Sequence, residues 1–153
     1  MISTKELGPR LGTPAANFCV LNHENHVTTL DDLMGERGLV LGFTSDIWEP
    51  ASIRRVLWFQ RHDVQFARMN VKLALVVCNE PHTLYGYSVA SVEPVNFPLL
   101  ADVRRDIHGA FNMEGYAGLV VIDRSYTMRD KWIMPAERVW PKPGELIQTL
   151  EAL

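Results

Sequence analysis

The side chains here that could do covalent or coordination chemistry are few: two cysteines, five histidines, and a serine at the start of a helical stretch. The segment "SDIWEPASIRR", residues 45–55, follows the apolar run "LVLGF" and precedes residues recurring at three- and four-residue steps. That places Ser52 in the first turn of a helix at the end of a strand. A thiol there would meet converging backbone N–H groups and the positive helix end, which favour a thiolate. A hydroxyl ionises far too high for a helix end to correct, so Ser52 can form neither a sulfenic acid nor a mixed disulfide. Hydrolytic attack by Ser52 would need a held base. The chain has no Gly-x-Ser-x-Gly turn, and His62 lies on the same predicted helix about 15 Å away. Ser52 therefore reads as a cap or first-turn residue.

Cys19 and Cys78 lie far apart with no metal-type spacing, which suits free thiols in a reducing compartment rather than a disulfide. Cys78 ends an apolar run, where cysteine is most often a small buried hydrophobe; the competing reading is a redox thiol. His23 and His26 flank a predicted turn, but two ligands without a third make a poor metal site, so both are expected on the surface. His82 and His108 sit near predicted helix ends with no evident partners. Arg54 with Arg55, and Arg104 with Arg105, read as solvated helix faces.

These residues need elements to position them. "FCVLN" and "HVTTL" suggest a β-hairpin, and "TLDDLMGERG" a short helix capped by Thr29 with Asp31 and Asp32 in its first turn. "LVLGF", 39–43, is continuously apolar, as in a strand covered on both faces. A helix of about 52–69 stops at Asn70, and "VKLALVVC", 71–78, is a second buried strand, parallel to the first through a right-handed crossover. Cys78 then shares the carboxyl edge of the sheet with the 45–52 loop, where its thiol could face that loop. Asn79 is a candidate cap for a helix with Pro81 in its first turn. "FPLLAD" leads into a short helix ending near Asn112, "GLVVID" and "MRDKWIM" form an antiparallel pair, and "KPGELIQTLEAL" is an amphipathic closing helix.

At 153 residues, the chain is expected to be one domain, 1–153 with a lead-in of 1–11, burying about two thirds of its unfolded surface. Hydrophobic residues at 47% and charged residues at 22% are enough for a packed core and exclude disorder. A net charge of −3 offers no field for a phosphate backbone, so nucleic acid is not an expected partner. No apolar run reaches the length of a membrane span, and the opening residues lack a signal-peptide core; a cytoplasmic location is expected.

The words "LGTPAANFCVLN", "TTLDDLMGERGLVLGF", "FPLLAD" and "GLVVID", in this order, resemble the thioredoxin-like redoxins. They are most similar to the peroxiredoxins of the alkyl hydroperoxide reductase and thiol-specific antioxidant family. The resemblance covers almost the whole chain from about Gly12. It implies a three-layer α/β/α sandwich with a central mixed sheet and an N-terminal β-hairpin. It also places the family's Pro-x-x-x-Thr-x-x-Cys motif on residues 45–52, where this chain has Ser45, Glu49 and Ser52. The arginine expected before "LVVID" has no counterpart among Tyr116, Ala117 and Gly118. Against thioredoxin's Trp-Cys-x-x-Cys, Trp48 matches, but Glu49 and Ser52 stand at the two cysteines. Glu49 is expected to fill the pocket that would otherwise hold an anion or peroxide.

The expectation is thus a redoxin-fold protein with degenerate positions Ser45, Glu49 and Ser52, no cofactor and no metal, working as a binding module or accessory subunit. Its interface candidates are Trp48, Trp58, Trp132, Met134 and Trp140, aromatics and Met being enriched where proteins meet. A protein partner or a homo-oligomer follows from that reading. The alternative is a thiol peroxidase or thiol-disulfide oxidoreductase, either with Ser52 an engineered replacement for cysteine or with chemistry through Cys78 or Cys19.

Overall fold

The computed structural model describes residues 7–134 and 140–153. A two-stranded hairpin, β1 (Cys19–Leu21) with β2 (Val27–Thr29), leads into the short helix α1 (Leu30–Leu33). The Thr29 hydroxyl accepts from the Asp32 N–H while the Asp32 carboxylate accepts from the Thr29 N–H, a reciprocal cap that starts the helix as expected. Next come β3 (Gly38–Phe43), α2 (Pro50–Arg68), β4 (Val71–Val77), α3 (Pro81–Ala90), β5 (Leu99–Ala101), α4 (Asp106–Ala110), β6 (Gly118–Asp123), β7 (Met128–Ile133) and α5 (Pro143–Glu151). Asn70, at φ 61°, turns the chain out of α2 into β4, using the left-handed conformation that asparagine tolerates.

The sheet runs β5-β4-β3-β6-β7, with β3 parallel to β4 and antiparallel to β6. Every residue of β3 is buried, which is why its sequence is apolar throughout and does not alternate. Side-chain parity then divides the core. Val40, Leu73, Leu75, Leu119 and Val121 face Val56, Phe59 and Phe66 of α2, Leu84 and Tyr87 of α3, and Leu146 and Leu150 of α5. Leu39, Leu41, Phe43, Val76 and Ile122 face the opposite side, with Leu30 and Leu33 of α1, Ile107 of α4, and Phe111. This is the expected three-layer arrangement around a mixed sheet.

Three local expectations are corrected. The residue that caps α3 is Glu80, not Asn79, whose side chain turns away to accept from the Ile47 N–H at 2.8 Å. "FPLLAD" holds the edge strand β5 as well as a lead-in, since Leu99–Ala101 pair in parallel with β4. The short helix α4 ends at Ala110, and Phe111 and Asn112 form the turn that follows. No helix among the described residues is long and apolar enough to cross a membrane.

Candidate functional site

The carboxyl ends of β3 and β4 lie side by side, and two clusters form there on opposite faces of the sheet. On the α2 face, the turn 44–49 carries the chain from β3 into the helix. It is held by backbone bonds from Thr44 N–H to Val76 O at 3.0 Å and from Glu49 N–H to Asp46 O at 3.1 Å. Asp46 Oδ1 also accepts from the Trp48 N–H at 2.9 Å. Glu49 is the N-cap residue and Pro50 opens the helix, so Ser52 falls in the first turn, fully buried. Its hydroxyl shares a hydrogen bond of 2.7 Å with the buried Thr44 hydroxyl, which also accepts from the Arg55 guanidinium at 2.9 Å.

Arg55 is therefore not a purely solvated residue. Burial, the adjacent Arg54 charge and, in opposition, Glu49 together lower its pKa from the ordinary value. Glu49 does not fill the pocket as expected. It is exposed and accepts from the Ser45 hydroxyl at 3.1 Å, and Thr44 takes the place beside Ser52. The sequence reading missed Thr44 and Arg55 because one looks like the tail of a strand and the other like one of several surface cations.

On the α4 face lies the second cluster. Cys78 follows β4, half-buried, and parity turns its sulfur toward α4 rather than toward Ser52. Sγ lies 3.8 Å from Nδ1 and 3.9 Å from Nε2 of His108, and 3.9 Å from the Thr44 carbonyl oxygen. His108 Nδ1 is 2.7 Å from Asp102 Oδ2. The same carboxylate caps the start of α4, accepting from the Ile107 N–H at 3.0 Å and the His108 N–H at 2.9 Å. The imidazole also meets Phe43 edge-on, with ring centroids 5.2 Å apart. Burial works against a charged His108, but the bond to Asp102 and the neighbouring sulfur outweigh it and raise its pKa to about 9. Burial likewise works against the Asp102 carboxylate, and its bonds from His108 and Ile107 outweigh that and lower its pKa. His108 is thus a buried imidazolium with two partners, contrary to the expectation of none.

The remaining candidates separate. His23 is buried rather than on the surface: its Nδ1 accepts from the Leu99 N–H at 3.1 Å, and burial lowers its pKa despite the opposing charge of Glu24. His26 is exposed, and exposed His82 pairs with Glu80 at 3.5 Å. Among the described residues, no group of three or more His, Cys, Asp or Glu could hold a metal. Both cysteines are free, Cys19 exposed on β1. Trp140 is buried against Trp58 and Phe59 at ring distances of 5.6 and 5.0 Å, so Trp58 and Trp140 close α5 onto α2 rather than offering a surface. Trp132 packs partly buried on the same core, and Met134 is half-buried. The rest of the predicted exposed connection, 135–139, lies outside the described residues. Trp48 is 52% exposed, its ring edge against Tyr87 of α3.

A mixed sheet with a βαβ unit, a helix opening at the carboxyl end of β3 and polar groups gathered there define a thioredoxin-like redoxin. The alkyl hydroperoxide reductase and thiol-specific antioxidant family, AhpC/TSA, matches residues 11–133, and the chain belongs to that family. No curated protein sequence matches it. Among solved structures it is similar to a 2-Cys peroxiredoxin of Plasmodium vivax, with 15% identity and a TM-score of 0.79 over 93% of this chain and 94% of that one. It is also similar to the peroxidoxin BcpB of Mycobacterium tuberculosis, at 17% identity and a TM-score of 0.78 over 95% and 98% of the two chains. A yeast mitochondrial 1-Cys peroxiredoxin gives 20% identity and a TM-score of 0.78 over 94% and 75%.

Proposed function

We propose that this chain is a redoxin whose family position 52 does no peroxidase chemistry and whose fold serves as a protein-binding module. The observation that carries the reading is Ser52 itself: a fully buried hydroxyl, bonded to Thr44, that has no thiol to oxidise. A binding role is supported by α3. Leu84 and Tyr87 of this helix are buried, yet Tyr85 and Val89 lie on its outer side at 55 and 65% exposure, Val92 just beyond its end is 99% exposed, and the half-exposed Trp48 packs against Tyr87. A helix apolar on both sides is expected to be covered on both. A protein partner or a second copy of the chain fits that face.

A hydroperoxide-consumption assay with a thiol reductant tests the proposal. The unmodified protein and Ser52→Ala should both give only the background rate. Turnover that disappears in Ser52→Ala would sink it. A second reading, thiol chemistry through Cys78, is favoured by the His108 and Asp102 side chains behind the sulfur. Turnover that survives Ser52→Ala and disappears in Cys78→Ser would select it.

A further inference from the structure

We infer that Cys78, His108 and Asp102 form a thiol–imidazolium site that exchanges with small disulfides, leaving Cys78 in a mixed disulfide. The inference rests on the second reading above and names its substrate class. Three features of the geometry carry it. Cys78 is a half-buried residue at the sheet edge, whereas the imidazole and carboxylate beside its sulfur are each only 3% exposed. Asp102 is fixed by two backbone N–H groups of α4 as well as by His108 Nδ1, so the cation cannot swing away from the sulfur. A positive charge held next to the sulfur in a partly dry site sits where negative charge gathers on the sulfurs during exchange.

The placement of the sulfur also selects the reaction. At 3.8 and 3.9 Å it is almost equidistant from the two ring nitrogens, beside the ring and not in line with one N–H. A hydrolytic relay needs the thiol proton passed along that line and returned to a leaving group, and a buried ring so placed serves it poorly. Reduction of a hydroperoxide needs donors aimed at the departing oxygen: Thr44 and Arg55 are bonded to each other on the opposite face of the sheet, and on this face His108 is buried with its Nδ1 already held by Asp102. Disulfide exchange needs only a thiolate and a line of approach. The Cys78 thiolate attacks one sulfur of R–S–S–R and the old S–S bond breaks. Cys78–S–S–R forms, and R–S⁻ leaves with the electron pair and takes a proton from water. One substrate sulfur is reduced, Cys78 is oxidised, and a second external thiol reverses the step.

The test uses Cys19, free and more exposed, as an internal reference. The intact protein is incubated with oxidised glutathione, and in parallel with iodoacetamide, and both cysteines are followed by peptide mass spectrometry. Cys78 should react about tenfold or more faster than Cys19 with both reagents, and its glutathione adduct should be removed by excess reduced glutathione. In His108→Gln the Cys78 rates should fall about tenfold while those of Cys19 stay fixed. If that variant does not fold, the comparison of the two cysteines in the unmodified protein still decides. Equal rates at both cysteines with both reagents would overturn this inference and the Cys78 reading together. Selective alkylation of Cys78 without a glutathione adduct, but with sulfenic acid formed by hydrogen peroxide, would overturn the disulfide assignment and leave that reading standing.

Discussion

Thr44 touches both clusters: its hydroxyl meets Ser52 and Arg55, while its carbonyl oxygen lies 3.9 Å from the Cys78 sulfur. Both hydroxyls of the Thr44–Ser52 pair are fully buried, so removing that of Thr44 strands that of Ser52 and the Arg55 donor, and Thr44→Val should cost about 1–3 kcal/mol. Adding Ser52→Ala should recover part of that loss, because a pair removed together leaves less unsatisfied. Urea unfolding of the single and double variants measures the coupling, and strictly additive losses would contradict it. Ser52 could be placed from sequence because it falls between an unbroken apolar run, the strand, and a helical period. His108 could not, since its partners are tertiary: Cys78 lies 30 residues away, and Asp102 becomes a cap only once α4 forms.

Among elements, β6 is the most tightly constrained. A Cβ on Gly118 would lie 2.1 Å from the Trp132 carbonyl oxygen of β7, a backbone atom that cannot step aside. Gly118→Ala should therefore destabilise by about 1–3 kcal/mol or more and loosen the β6–β7 pairing at its Ile133 end, read as faster amide exchange there. An unchanged melting temperature would contradict this. The long elements were legible because a buried strand leaves a continuous apolar run and an amphipathic helix a periodic one: β3, β4, α2 and α5 came out within a residue or two. β5 was hidden by its length, three residues behind a proline, which no period can mark. Trp140 was misplaced because tryptophan among prolines has the composition of an interface, and only the packing of α5 on α2 reveals that it is core.

For the molecule as a whole, the His108–Asp102 pair links stability to pH. His108 goes from an ordinary 6.5 when unfolded to about 9 when folded, so its contribution is complete below about 6.5 and is lost as pH rises through 9. Asp102 is shifted the other way, below 3.8, so its contribution is present above that value and lost as pH falls below it. The unfolding free energy of the protein minus that of His108→Gln should thus decline between pH 6.5 and 9, by on the order of 2 kcal/mol. A difference that stays flat across that window would contradict the pairing. The fold also ties its two faces together at one seam: the Cys78 N–H bonds to the Ser45 carbonyl at 3.0 Å, and Asn79 receives the Ile47 N–H. The turn bearing Trp48 is therefore basted to the exit of β4 as well as to its own strand. A bulky adduct on Cys78 is therefore expected to strain that thread and shift the emission of the exposed indole across the sheet, a change that Trp48→Phe should abolish; an emission spectrum untouched by the adduct would contradict the coupling.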